Sequence, residues 1–183
     1  MLRHLPNLIT ALRLVLVIPL CRLIEAGRYD GALLVAAVAG FSDALDGFLA
    51  KRFNWQSWLG GVLDPLADKL LLTVAFVWLA FAGDLAGWLA ALVVVRDLVI
   101  VAGAVAYHYL VGRFEAAPSR LSKATTAVQL GFVLLVLLHL AGWIALTPGL
   151  RTLLVGLVAA MTVASGVHYV VVWSRRAWLE RVR

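Results

Sequence analysis

Hydrophobic residues run through this chain in six long blocks, and polar residues collect in the short gaps between them. The gaps fall at 25–31, 51–56, 83–85, 112–123 and 147–151 and carry the Gly, Pro, Asp, Arg and Lys residues that end helices or stay in water. The blocks between them cover approximately 8–25, 32–51, 59–82, 86–111, 122–142 and 150–173. An α-helix of about 20 apolar residues crosses the roughly 30 Å hydrocarbon layer of a bilayer, so each block reads as one span. The pattern predicts an all-α polytopic membrane protein with six transmembrane helices, a single domain over 1–183, and both termini on one side.

Composition supports this reading. Of the 183 residues, 63% are hydrophobic and 14% charged, and the mean hydropathy is +0.97, well outside the range of a soluble globular domain. A net charge of +6 would suggest nucleic acid as the partner of a soluble protein, but here the basic residues sort by side. The side of the termini carries Arg3, Lys51, Arg52, Arg113, Arg120, Lys123, Arg175, Arg176, Arg181 and Arg183; the other carries Arg22, Arg28 and Arg151. The positive-inside rule makes the termini cytoplasmic and the expected basic-patch partner an anionic lipid surface, not nucleic acid. Trp55, Trp58, Trp88, Trp143, Trp173 and Trp178 fall near span ends, as an interfacial aromatic belt would. Cys21 stands alone, which excludes an internal disulfide. The segment from Leu8 to Leu23 lacks a cleavage site and reads as a first span that stays. With no Arg- and Ser-rich transit peptide, the expected location is a bacterial inner (cytoplasmic) membrane.

Against this hydrocarbon background, four carboxylates stand out: Asp43, Asp46, Asp64 and Asp68, at the cytoplasmic ends of the second and third spans. An ionised carboxylate at membrane depth costs about 2.5 kcal/mol or more, so a group of four needs cations. In helices, Asp43 and Asp46 (i,i+3) share one face, as do Asp64 and Asp68 (i,i+4). A structural ion-pair network would need basic partners inside the spans, where only Arg13, Lys69 and Arg96 stand. Divalent metal is the better match: hard dications prefer oxygen ligands and join a few carboxylates to the phosphate oxygens of a substrate. Gly47 and Gly60 remove side chains beside the aspartates, and Pro65 is expected to bend or start the third helix next to Asp64. A divalent-cation transporter is the non-enzyme alternative, and a membrane prenyltransferase the other enzyme class.

The run Asp43-x2-Asp46-Gly47-x2-Ala50-Lys51-x8-Gly60-x3-Asp64-x3-Asp68 resembles the signature of the CDP-alcohol phosphatidyltransferases, with Lys51 standing where the family usually has arginine. Pro6, Asn7, Thr10 and Arg13 in the first span extend the similarity. The resemblance implies a phospholipid-synthesising membrane enzyme that joins CDP-diacylglycerol to an alcohol and releases CMP, with two divalent ions, Mg²⁺ or Mn²⁺, and a homodimeric assembly. It further implies that Asp43, Asp46 and Asp64 bind metal, and that Asp68 binds metal and acts as general base. Thr10, Gly47, Ala50, Lys51 and Gly60 fall to the CDP site.

Two stretches bear on the acceptor, Val95-Arg96-Asp97 and Ser119-Arg120-Leu121-Ser122-Lys123-Ala124-Thr125-Thr126-Ala127-Val128-Gln129-Leu130. Within the family they look most similar to the CMP-forming cardiolipin synthases, whose acceptor is phosphatidylglycerol. Phosphatidylglycerophosphate synthases, which take glycerol 3-phosphate, are the alternative. Both acceptors carry a phosphate, for which Arg96, Arg113, Arg120 and Lys123 are the candidate ligands. Ser122, Thr125, Thr126 and Gln129 form a polar stripe at helical spacing, expected to face a cavity.

Overall fold

The structure, a computed structural model, describes residues 5–53, 58–110 and 119–181, with side chains described over 14–40, at 42, and over 69–103 and 119–174. Among the described residues the elements are six helices: α1 (Leu5–Glu25), α2 (Tyr29–Phe53), α3 (Trp58–Phe81), α4 (Gly87–Leu110), α5 (Arg120–Leu140) and α6 (Pro148–Arg181). Within them, Arg120–Leu140 and Pro148–Ser174 are long and apolar enough to cross a membrane. The described apolar parts of α2 and α3, Tyr29–Gly40 and Lys69–Phe81, are shorter.

The helices match the hydrophobic blocks closely, with two departures. Helix α6 continues through Arg175 and Arg176 to Arg181, because charge ends an apolar block without ending backbone hydrogen bonding. Pro65 does not start the third helix, which begins at Trp58 and runs through it.

The chain divides into two compact units, Met1–Leu85 with Val133–Ala145, and Ala86–Phe132 with Leu146–Arg183. In the first, α1 packs on both α2 and α3. Its described interior is wholly apolar and includes Leu20 and Ile24 of α1, Ala32, Ala36 and Ala39 of α2, and Leu72, Phe76 and Leu79 of α3. The three alanines recur every three or four residues on one face of α2, and small residues there let helix backbones approach closely. Helices α1, α3 and α5 end in the same way. Gly27, Gly83 and Gly142 adopt positive φ (66°, 85°, 78°), and the N–H of the next residue reaches back to Leu23, Leu79 and Leu138 respectively. This is the Schellman closure, which satisfies carbonyls that the helix leaves unpaired. The Tyr29 hydroxyl donates to Asp84 Oδ2 (2.8 Å) and Trp143 Nε1 donates to Asp30 Oδ1 (2.8 Å), so the three reversals are tied to one another. Desolvation pushes the Tyr29 phenol above its ordinary value near 10, and the Asp84 carboxylate pushes it further.

In the second unit α4 and α6 pack together. Arg96 meets Ser165, and Gly103 lies so close to Trp173 that a Cβ there would fall 2.5 Å from the ring, so the two helices run parallel. Helix α5 runs antiparallel to α6. The Ser119 N–H donates to the Tyr169 hydroxyl, Thr125 Oγ1 to the Met161 carbonyl and Gln129 Nε2 to Thr162 Oγ1. Trp173, expected in an interfacial belt, is instead half-buried against α4 and stacks edge-on with Tyr169. Trp88 and Trp143 are exposed at helix ends, as a belt requires.

Candidate functional site

Asp43 and Asp46 lie within the unbroken helix α2, and Asp64 and Asp68 within α3, so the condition for each pair to share a face is met in the backbone. Helix α1, which carries Thr10, packs against both. The side chains of the four aspartates, and those of Thr10, Ala50 and Lys51 together with Gly47 and Gly60, fall outside the described side chains. Arg113 falls outside the described residues altogether. Among the described residues no three His, Cys, Asp or Glu side chains come together. The chemistry of the donor set, four carboxylates on two helices, fits a hard oxygen-seeking dication.

The other candidate cations are placed by α4 and α5. Arg120 and Lys123 are exposed on the first turn of α5, which Ser119 caps by accepting the Ser122 N–H (3.1 Å). Arg96 is different: it is 4% exposed and held within its own unit. Its Nη1 donates to Asp97 Oδ1 (2.7 Å), and its Nη2 donates to both Ser122 Oγ (2.7 Å) and Ser165 Oγ (2.8 Å). Its Nε is covered and has no hydrogen-bond partner among the described residues. One guanidinium thereby joins α4, α5 and α6, while the neighbouring carboxylate balances its charge.

The polar stripe of α5 turns inward and packs on α6 instead of facing a cavity. Ser122, Thr125 and Gln129 are buried, with hydroxyl and amide groups directed at Arg96, Met161 and Thr162. Thr126 lies at the edge and returns its hydroxyl to the Ser122 carbonyl. The α6 half of this arrangement, Thr162, Ser165 and Tyr169, was not singled out from the sequence. A signal was present: these residues recur every three or four positions in an otherwise apolar helix, which puts them on one face.

A model of the CDP-alcohol phosphatidyltransferase family matches residues 3–166. The chain is 35% identical over 143 residues to the cardiolipin synthase (CMP-forming) of Rattus norvegicus, a match covering 68% of this chain and 47% of that protein. It is 31% identical over 180 residues to the probable phosphatidylglycerophosphate synthase of Mycobacterium tuberculosis strain H37Rv, covering 91% and 80%. It is 40% identical over 120 residues to the cardiolipin synthase (CMP-forming) of Streptomyces coelicolor, covering 63% and 54%. The matches to these two cardiolipin synthases span about half the length of each.

Proposed function

The chain belongs to the CDP-alcohol phosphatidyltransferase family, and from that premise we propose that it moves a phosphatidyl group from CDP-diacylglycerol to phosphatidylglycerol, giving cardiolipin and CMP. The observation that carries the donor half is the pair of unbroken helices bearing Asp43 and Asp46, and Asp64 and Asp68, both packed on α1.

In this reading Asp43, Asp46, Asp64 and Asp68 hold two divalent ions, Mg²⁺ or Mn²⁺, which when bound offset charge on the diphosphate and on the departing CMP. The acceptor hydroxyl gives its proton to the Asp68 carboxylate as its oxygen bonds to the phosphatidyl phosphorus, and the bond from that phosphorus to the CMP oxygen breaks. Thr10, Gly47, Ala50, Lys51 and Gly60 line the CDP site. Arg96, Arg113, Arg120 and Lys123 serve the acceptor's phosphate, Arg96 through its bond to Ser122 on the first turn of α5.

The same proposal places the chain in a bacterial inner membrane as six spans, with cytoplasmic termini and the aspartates facing the cytoplasm, 1–183 acting as one catalytic domain. Its support is the high mean hydropathy, the sorting of Lys and Arg, and an inverted second unit. That unit buries Arg96, Gln129 and Thr162 while exposing Val95, Leu98, Leu153 and Val167, an arrangement that suits lipid better than water. A homodimer, implied by the family resemblance, completes the reading and is checked by the mass of the detergent-solubilised protein.

Glycerol 3-phosphate as acceptor is the second reading. It is favoured by the greater extent of the phosphatidylglycerophosphate synthase match, 91% of this chain against 68% for the rat cardiolipin synthase. Purified protein given CDP-diacylglycerol with phosphatidylglycerol and, in parallel, with glycerol 3-phosphate separates the two when the lipid product is identified by mass. Cardiolipin is the expected product. Phosphatidylglycerophosphate alone would replace the first reading by the second.

A further inference from the structure

Arg96 carries an obligation that its neighbours do not. A guanidinium in an apolar helix bundle is expensive unless every charge and donor around it is arranged, and such residues mark function more often than packing. Its arrangement here points inward: Nη1 is held by Asp97, both donors of Nη2 go to serines on two other helices, and Nε is covered. At 4% exposure it presents almost nothing to an incoming phosphate. It does present a rigid, planar fork to the third residue of α5.

We propose that Arg96 is a positioning residue: by tying Ser122 to Ser165 it fixes the rotation of the first turn of α5, and with it the exposed cations Arg120 and Lys123 that meet the acceptor's phosphate. This rests on the acceptor site assigned above. Lys123 follows Ser122 by one residue and therefore sits about 100° further round the helix, so a turn of α5 about its axis swings the ammonium away from its target. The other ties between α5 and α6 are neutral: Ser119 to Tyr169, Thr125 to Met161 and Gln129 to Thr162. Arg96 supplies the charge-assisted tie to the first turn and reaches it from a third helix. Lysine cannot replace it, because one ammonium on a flexible stem does not hold two hydroxyls and a carboxylate in a fixed plane.

The test uses the 183-residue chain in native membranes. Cys21 is the sole cysteine, so Cys21→Ser clears the background, and Ala124→Cys places a reporter at an exposed site on the same turn. The rate at which a water-soluble maleimide modifies that reporter is compared in Arg96→Lys, Arg96→Met and Ser165→Ala. A changed rate, by about fivefold in Arg96→Met and less in the other two, is expected from loss of a charged hydrogen bond. In the enzyme assay, on chains without the reporter, the same variants should raise the acceptor KM about tenfold while leaving the CDP-diacylglycerol KM within about twofold. Ser165→Ala combined with Arg96→Lys should give less than the sum of the two effects, since both cut one linkage. Unchanged labelling with a raised acceptor KM would mean direct phosphate contact and overturn the positioning role. Unchanged labelling and unchanged KM would overturn it as well. If Arg96→Met does not accumulate in membranes, Ser165→Ala decides by the same criteria. Should the protein show no phosphatidyl transfer, the labelling arm still decides whether Arg96 sets the turn.

Discussion

The two units bury opposite kinds of interior. Among the described residues, the first unit closes on alanine, leucine, isoleucine and phenylalanine, whereas every buried polar side chain, from Arg96 to Ser165, lies in the second. In lipid the hydrocarbon of one helix gains little by exchanging a lipid tail for a neighbouring helix, so close packing and hydrogen bonds do the holding. The first unit uses the former, through Ala32, Ala36 and Ala39, and carries side-chain ties at its turns from Tyr29 to Asp84 and from Trp143 to Asp30. The second uses the latter along its length. Apolar packing tolerates small rotations, while a guanidinium shared by two serines does not. In the proposed enzyme the metal-binding aspartates belong to the first kind of unit and Arg120 and Lys123 to the second.

The strongest way to press on this contrast is through chemistry that belongs to one unit alone. Asp68→Asn should lower turnover about 100-fold or more while retaining CDP-diacylglycerol binding, measured by product formation and by ligand binding to the purified variant. Retention of more than a few per cent of wild-type turnover would take the base role from Asp68. Chelation by EDTA should stop product formation, and Mg²⁺ or Mn²⁺ should restore it with no refolding step.

Next in size are two substitutions that probe the interiors directly. Ala36→Leu forces a larger side chain into the α2 stripe and should lower stability by about 1–3 kcal/mol, read as the melting temperature in detergent. Gln129→Leu keeps volume and removes one hydrogen bond, leaving Thr162 its bond to the Val158 carbonyl. Its cost should be about 0.6–1.7 kcal/mol, from the mean to the largest value measured for such bonds in a membrane protein. A larger loss from Gln129→Leu than from Ala36→Leu would reverse the contrast.

The smallest effect is a pH signature at the tied turns. Tyr29 has a folded-state value raised above that of the unfolded chain, so the neutral phenol is favoured by folding. Its contribution is fully present below about pH 10 and fades as pH rises through the folded value. Tyr29→Phe should therefore flatten the fall in melting temperature on the alkaline side of pH 10, with little change in slope near neutrality. An unchanged alkaline slope would show that neither burial nor the Asp84 carboxylate shifts the phenol.

Helix number and position were readable because hydropathy blocks and polar gaps record them directly. The boundaries of α1 to α5 fall within three residues of the blocks, and the capping residues Ser119 and Thr147 stand immediately before α5 and α6. Helix α6 outran its block because Arg175 and Arg176 are compatible with a helix though not with lipid. Direction was harder to read than position. Ser122, Thr125 and Gln129 were legible as one face, but nothing in their spacing says whether that face meets water, substrate or another helix. The answer lay in Thr162, Ser165 and Tyr169, some 35 to 50 residues away, whose own periodicity matters only once α6 is laid beside α5. The aspartates show the opposite case: their spacing carries both the metal chemistry and the family resemblance, and the structure adds that the segments bearing them are helical.

The glycine-closed reversals after α1, α3 and α5, linked by Tyr29–Asp84 and Trp143–Asp30, also set how these helices can move. Short, cross-tied connectors resist sliding along the helix axis, so tilting about the tied end is the motion expected of α2 and α3. Asp43 lies about 21 Å along α2 from Tyr29, and Asp64 about 25 Å along α3 from Phe81, at 1.5 Å per residue. A tilt of roughly 3° at that pivot moves a carboxylate at such a radius by about 1 Å, and the rise per residue fixes the lever. In the proposed enzyme the tied end is the fulcrum and the aspartates sit at the far end of the lever, so small rotations there would adjust their spacing without remaking a single turn.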